Sequence, residues 1–150
     1  MAESIRGDET IIDLLLDQHM EIKRLFTDVL SATGDDKVAL FDDLANLLSA
    51  HEAAEQEIVH LNARDRINEG YRIVGERLDE EQEAKQALVQ LRRLGVDHPE
   101  FDSRLRSLAD IVIRHATAEE TEEFGELQAS LTEAELVRMA QDVRAAESRA

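Results

Sequence analysis

The chain has 150 residues, no cysteine and one proline, and its 34 acidic against 17 basic side chains give a formal net charge of −17. Without cysteine there is no disulfide framework, thiolate metal site, thiol nucleophile or thiolate-held iron–sulfur cluster, so any chemistry uses His, Asp, Glu or hydroxyls. Hydrophobic residues make up 43% and aromatics only 3%, so a core exists but is built from Leu, Ile, Val and Ala. The length suits one domain over 1–150, with its core at about 10–128 and a C-terminal helix at about 132–147.

The first ten residues, MAESIRGDET, carry no apolar signal core. No apolar run approaches the roughly 20 residues that cross a bilayer, so a cytoplasmic location is expected. A surface this acidic repels phosphates, which makes nucleic acid and anionic membranes poor partners. The expected state is a monomer or weak homodimer.

One proline and six glycines leave few interruptions, and the apolar spacing is helical almost throughout. Thr10 and Asp13 form a capping box, and Ile12, Leu15, Leu16, Ile22, Phe26 and Val29 make one stripe of a first helix over about Thr10 to Ala32. After Gly34, a second stripe of Leu44, Leu47, Leu48, His51, Glu55 and Ile58 carries a long helix to about Arg64. Gly70 and Gly75 punctuate the passage to a third, with Leu78, Ala84, Leu88 and Leu91 on one side and Gly95 at its end. His98 and Pro99 open a fourth, whose stripe is Leu105, Leu108, Ile111, Val112, His115 and Glu119, with Phe124 and Leu127 beyond. A second capping box, Thr132 to Glu135, starts a short fifth. The expected architecture is all-α, an antiparallel up-down four-helix bundle with a short C-terminal fifth helix.

The chain also resembles itself. Residues 17 to 26 read DQHMEIKRLF and residues 79 to 88 read DEEQEAKQAL, an offset of 62, while His51 and Glu55 match His115 and Glu119 at an offset of 64. These offsets imply two copies of a helix pair about a pseudo-twofold axis. His51 and Glu55 stand one turn apart on the leucine-bearing face of their helix, as do His115 and Glu119, so both pairs point inward. His19 lies among Leu15, Leu16, Ile22 and Phe26, and its repeat partner is Glu81.

Three carboxylates and three imidazoles in one apolar layer need compensation, because an unpartnered buried carboxylate costs several kcal/mol or stays protonated. Two divalent or trivalent cations supply it. Mixed nitrogen and oxygen donors suit iron or manganese, with zinc a second-best occupant. A lone inward His is more often a hydrogen-bonded core residue, and a single His-x-x-x-Glu among 34 acidic residues is a chance spacing; two copies in a repeat, joined by His19, outweigh both.

Other candidates are weaker. His60 lies nine residues after His51, about 180° around a regular helix, which directs it to solvent or a neighbour. Glu57 with His60 forms one Glu-x-x-His on a face of Ser49, Ala53 and Arg64, where ferritin-like bundles need two. His98 falls in a loop, and Tyr71 takes a packing or rim role. Glu52, Glu80, Glu120 and Glu123 read as solvated faces, although a one-residue register slip would exchange Glu80 for Glu81. Lys23 and Lys85 read as partners of surface acids.

The set of a His on the first helix, His-x-x-x-Glu on the second, a ligand on the third and His-x-x-x-Glu on the fourth resembles the hemerythrin-like, or HHE cation-binding, family. The likeness covers residues 11 to about 127. It implies two non-haem iron ions joined by an oxo or hydroxo bridge, with manganese or zinc as substitutes. Carried over by position, Glu55 and Glu119 would bridge, His19 and His51 would cap one iron, and His115 with Glu81 the other. The departure is Glu81, where oxygen-carrying hemerythrins supply histidine; added negative charge favours Fe(III) and turns the expectation from reversible oxygen carriage toward peroxide, nitric oxide or oxygen as an oxidant. The expected ligand is therefore a small diatomic or peroxide, with weak catalase-like or peroxidase-like activity. An oxygen or redox sensor acting through a partner, iron storage or donation, and a metal-free scaffold are the alternatives.

Overall fold

The computed structural model describes residues 7–149 and, among them, is helical with no strand. The first helix, α1 (Ile11–Ser31), starts at the expected capping box: Thr10 Oγ1 accepts from the Asp13 amide and Asp13 Oδ2 from the Thr10 amide, each at 3.2 Å. Its buried line runs through Ile11, Leu14, Leu15, His19, Ile22, Leu25, Phe26 and Val29, while Leu16 is 38% exposed and lies off the expected stripe. Gly34, at φ +60°, opens α2 (Gly34–Ala54).

α2 continues through a π-helical turn, Glu55–Val59, into α3 (His60–Arg66). The signature is the His60 amide donating to the Glu55 carbonyl, five residues back instead of four. The link to α4 (Gly70–Leu94) is shorter than expected, because Gly75 lies inside the helix. Chain direction changes at Glu69, which sits at φ +56°, and at Gly70, where an added Cβ would lie 2.4 Å from the carbonyl oxygens of Ala63 and Arg64. Gly95, at φ +83°, ends α4. His98 stays in the loop, its Nδ1 accepting the Glu100 amide at 3.0 Å.

α5 (Phe101–Ala118) meets a second π-helical turn, Glu119–Glu123, and α6 (Phe124–Ser130) completes that rod. The two π turns lie 64 residues apart, the spacing of the sequence repeat. α7 (Glu133–Ser148) begins at the second expected capping box, Thr132 with Glu135.

The core falls into two apolar clusters. One holds Leu14, Leu15, Ala54, Val74, Phe124 and Leu127 together with Leu136, Met139 and Val143 of α7. The other holds Ile22, Phe26, Leu44, Leu48, Ala84, Leu88, Leu108 and Val112. Every long rod crosses from one to the other, and the residue at each crossing is His19, His51, Glu81 or His115. The polar layer therefore lies between two dry ends. Among the described residues no helix is long and apolar enough to cross a membrane.

Gly70 and Gly75 test this packing with opposite signs. Gly70→Ala drives a methyl into two backbone carbonyls and should destabilise by about 1–3 kcal/mol. Gly75→Ala meets no atom within 4 Å inside a helix, so it should stabilise by roughly 0.5–1 kcal/mol in a denaturant titration.

Candidate metal centre

All six expected donors are buried, with Glu55 and Glu119 at 0% exposure, and the fold brings them together. His51 Nε2 lies 2.5 Å from Glu55 Oε1, His19 Nε2 3.2 Å from Glu119 Oε1, and His115 Nε2 3.0 Å from Glu81 Oε2. Three overlapping groups could each hold a metal ion, with candidate ligand atoms within 4.8 Å of one another: His19, His51, Glu55 and Glu119; Glu55, Glu81, His115 and Glu119; and Glu55, His60, Glu119 and Glu123. Glu55 and Glu119 belong to all three.

The third group decides between the two positions expected for His60, solvent or a neighbour, and shows that it turns inward to the centre. Its ring is buried, with Nε2 2.9 Å from Glu81 Oε2 and 3.9 Å from Glu55 Oε2. The cause is the π turn: one extra residue in the turn sets back the succeeding residues by about 100°, so His60 stands about 80° from His51 instead of 180°. Glu57 points outward to Arg149, which removes the Glu-x-x-His alternative. Glu123 is fully buried, its Oε2 2.9 Å from His60 Nδ1, where a solvated face was expected. Glu52 is also buried. Tyr71 is 73% exposed with the Arg64 guanidinium over its ring, a rim position.

An outer ring holds the imidazoles. Nδ1 of His19 meets Glu120 at 2.7 Å, Nδ1 of His51 meets Gln18 at 2.6 Å, and Nδ1 of His115 meets Glu80 at 2.8 Å. A proton on each Nδ1 leaves the Nε2 lone pair facing the centre, the tautomer a metal needs. Arg77, buried on α4, donates to both Glu80 oxygens and steadies that carboxylate. Glu80 and Glu120 are thus half-buried partners of histidines instead of free surface acids. The repeat pairs these contacts: Gln18 on His51 matches Glu80 on His115, and Glu120 on His19 matches Gln56, whose amide donates to Glu81 at 2.9 Å. The symmetry breaks one residue past each π turn, where Phe124 stacks on His19 and His60 contacts Glu81.

The donors do not satisfy one another. Both oxygens of Glu55 and of Glu119, one oxygen of Glu123, and Nε2 of His19 and His115 are buried with no aligned hydrogen bond, the condition a cation would relieve. Burial opposes the charge on Glu55, yet the surrounding histidines, His51 first, hold its pKa at about 2. Burial likewise opposes the charge on His60, but Glu123 and Glu81 raise it to about 11. Burial, then the Glu81 charge, pushes Glu52 up to about 8. Burial and the neighbouring His51 ring lower His19.

A small cavity opens beside the histidines. Its lining includes His19, His51 and His115 with Ile22, Leu48 and Val112, and it has room for about one small guest. Lys23 reaches this cavity and pairs with no acid among the described residues.

Comparison with known proteins agrees with this geometry. The hemerythrin HHE cation binding domain matches residues 10–127, so the chain belongs to that family. A solved HHE cation binding domain-containing protein from Mycobacterium kansasii superimposes with a TM-score of 0.80 over 94% of this chain and 86% of its own, at 21% identity, which shows the shared fold. A protein of a Nostoc species named DNA nickase is 31% identical over 147 residues, 97% of this chain. The chain spans 41% of that relative's length. α7 lies beyond the matched family region.

Metal-free protein should lose stability as pH rises. His60 carries a raised pKa, so its contribution is complete below about 6.5 and is lost as pH climbs toward 11. Glu52, kept neutral by the fold, ionises at increasing cost between 4.5 and about 8, in the same direction. The melting temperature of the chelator-treated chain should therefore fall between about pH 7 and 9. A value that rises over that interval would contradict these environments.

Proposed function

We propose that the chain is a non-haem di-iron protein that binds or reacts with peroxide, nitric oxide or dioxygen in an oxidative-stress or redox role, with weak catalase-like activity. In an antiparallel up-down bundle, His19 and His51 would hold one iron, His115 and Glu81 the other, and Glu55 and Glu119, which belong to every donor group, would serve both. His60 adds a donor on the Glu81 side. The observation that carries this reading is the orphaned inner layer of buried carboxylate oxygens and imidazole nitrogens. Charge supports it: the four carboxylates of the donor groups, Glu55, Glu81, Glu119 and Glu123, sum to −4. Two divalent cations offset that sum, as do two trivalent cations with a dianionic bridge.

The iron pair supplies electron transfer to and from a small oxidant; the chain supplies the rest. Gln18, Glu80 and Glu120 orient imidazoles and keep their Nδ1 protons in place. Ile22, Leu48 and Val112 limit water and admit a small uncharged molecule. Glu81 in place of a neutral donor favours the oxidised metal, hence oxidant chemistry over reversible oxygen carriage.

A sensor role is the second reading, favoured by one contact chain. Gln18 joins His51 to Glu147 of α7, with its Nε2 donating at 2.9 Å, so the state of the centre can reach a helix outside the matched domain. A DNA-nicking role is weaker: a net charge of −17 repels phosphates, and the nickase relative has more than half its length outside the match.

Anaerobic Fe(II) loading and then exposure to air should give about two irons per chain and near-ultraviolet absorption that changes with peroxide. Glu55→Ala should lose iron and the thermal stabilisation that iron gives. Glu120→Ala leaves the inner donors in place and should weaken iron affinity about 10–100-fold. A folded wild-type chain that stays iron-free and colourless defeats the reading.

A further inference from the structure

Glu52 has no role in the donor groups, yet it is buried at 9% exposure. Its carboxyl makes no hydrogen bond or ion pair with another described residue. The side chain lines the small cavity together with His19, His51 and His115. An acid this buried, with no side chain hydrogen-bonded to it, is a cost to folding even though its oxygens are not sealed from water, and such groups concentrate where function needs them.

The repeat shows that the fold does not need an acid here. At the offset of 64 the counterpart of Glu52 is Ala116, which is buried and lines the same cavity from the opposite helix. One wall thus carries a methyl and the other a carboxyl, in otherwise matched surroundings. Ile22, Leu48, Val112 and Ile113 supply no hydrogen bond, and Lys23, an exposed residue, also lines the cavity. Apart from the ring nitrogens and the Lys23 ammonium, the side-chain hydrogen-bonding capacity of the lining comes from Glu52, which is its one carboxyl acceptor.

We propose that Glu52 is a specificity-determining residue: its carboxyl hydrogen-bonds a small guest in the cavity and so favours hydrogen peroxide, a donor as well as an acceptor, over dioxygen and nitric oxide. This deepens the di-iron reading and rests on it. A site that hydrogen-bonds a hydroxyl discriminates against guests that lack one, because its own polar group is then left unpaired. Diatomic guests offer Glu52 no hydrogen to accept; peroxide does. The cavity's size adds the second limit, since it holds one guest of a few atoms.

The test compares Glu52→Gln, which keeps shape and hydrogen bonding, with Glu52→Leu, which keeps volume alone. Three quantities are read on the iron-loaded chain: iron content, the rate of hydrogen peroxide consumption, and nitric oxide affinity by optical titration. A fourth is the melting temperature of the metal-free chain. Glu52→Leu should keep wild-type iron, lose about tenfold in the peroxide rate, leave nitric oxide affinity unchanged or tighter, and melt higher when metal-free. Glu52→Gln should stay within about threefold of wild type for peroxide. A peroxide-to-nitric-oxide ratio that Glu52→Leu leaves unmoved overturns the inference while the di-iron reading stands. Loss of iron in both variants also overturns it, by making Glu52 a metal ligand. A wild-type chain that takes up no iron overturns both.

Discussion

Negative charge buried between two apolar clusters is the constraint on which the rest of this molecule depends. Glu55, Glu81, Glu119 and Glu123 are almost wholly removed from water, and the histidines beside them cannot satisfy all their oxygens. Left uncompensated, such a layer costs several kcal/mol per ionised group, more than the whole margin by which a domain of this size is stable. Part of the compensation is internal, as the strongly raised His60 shows. The remainder has the chemistry of cations, and a family of cation-binding domains is where this chain belongs.

Backbone geometry delivers those groups to one plane. Each doubled His-x-x-x-Glu signature runs straight into a π turn, and the turn changes which residues come next to the centre. After Glu55 the extra residue brings in His60; after Glu119 it brings in Phe124, which stacks on His19. The same backbone device thus gives the two halves unequal surroundings. π turns weaken the regular hydrogen-bond ladder, and their retention at matched positions of a repeat is consistent with a role at the site rather than in packing.

Much of this was legible in the sequence because it rests on local rules. Both capping boxes, the helical spacing of leucines and the repeat offsets are properties of neighbouring residues, and they lead to Thr10, Thr132, His19, His51, Glu81 and His115 without coordinates. His60 was hidden because counting at 100° per residue assumes an unbroken α-helix, and composition gives no mark of a π turn. Glu80, Glu120 and Glu123 were hidden by abundance: among 34 acids, a partner of a histidine looks like any solvated glutamate. The repeat could have found the four outer contacts, in two pairs, since Gln18 and Glu80 sit just before His19 and Glu81, and Gln56 and Glu120 just after Glu55 and Glu119. Gly75 was misplaced because a glycine inside a helix costs too little to end it.

Anomalous diffraction at the iron edge, on crystals of the iron-loaded chain, tests the central claim most directly. Two peaks should lie in the polar layer between Glu55 and Glu119, one beside His19 and His51 and the other beside His60, Glu81 and His115. An empty layer, or iron bound only among surface acids, would contradict the account.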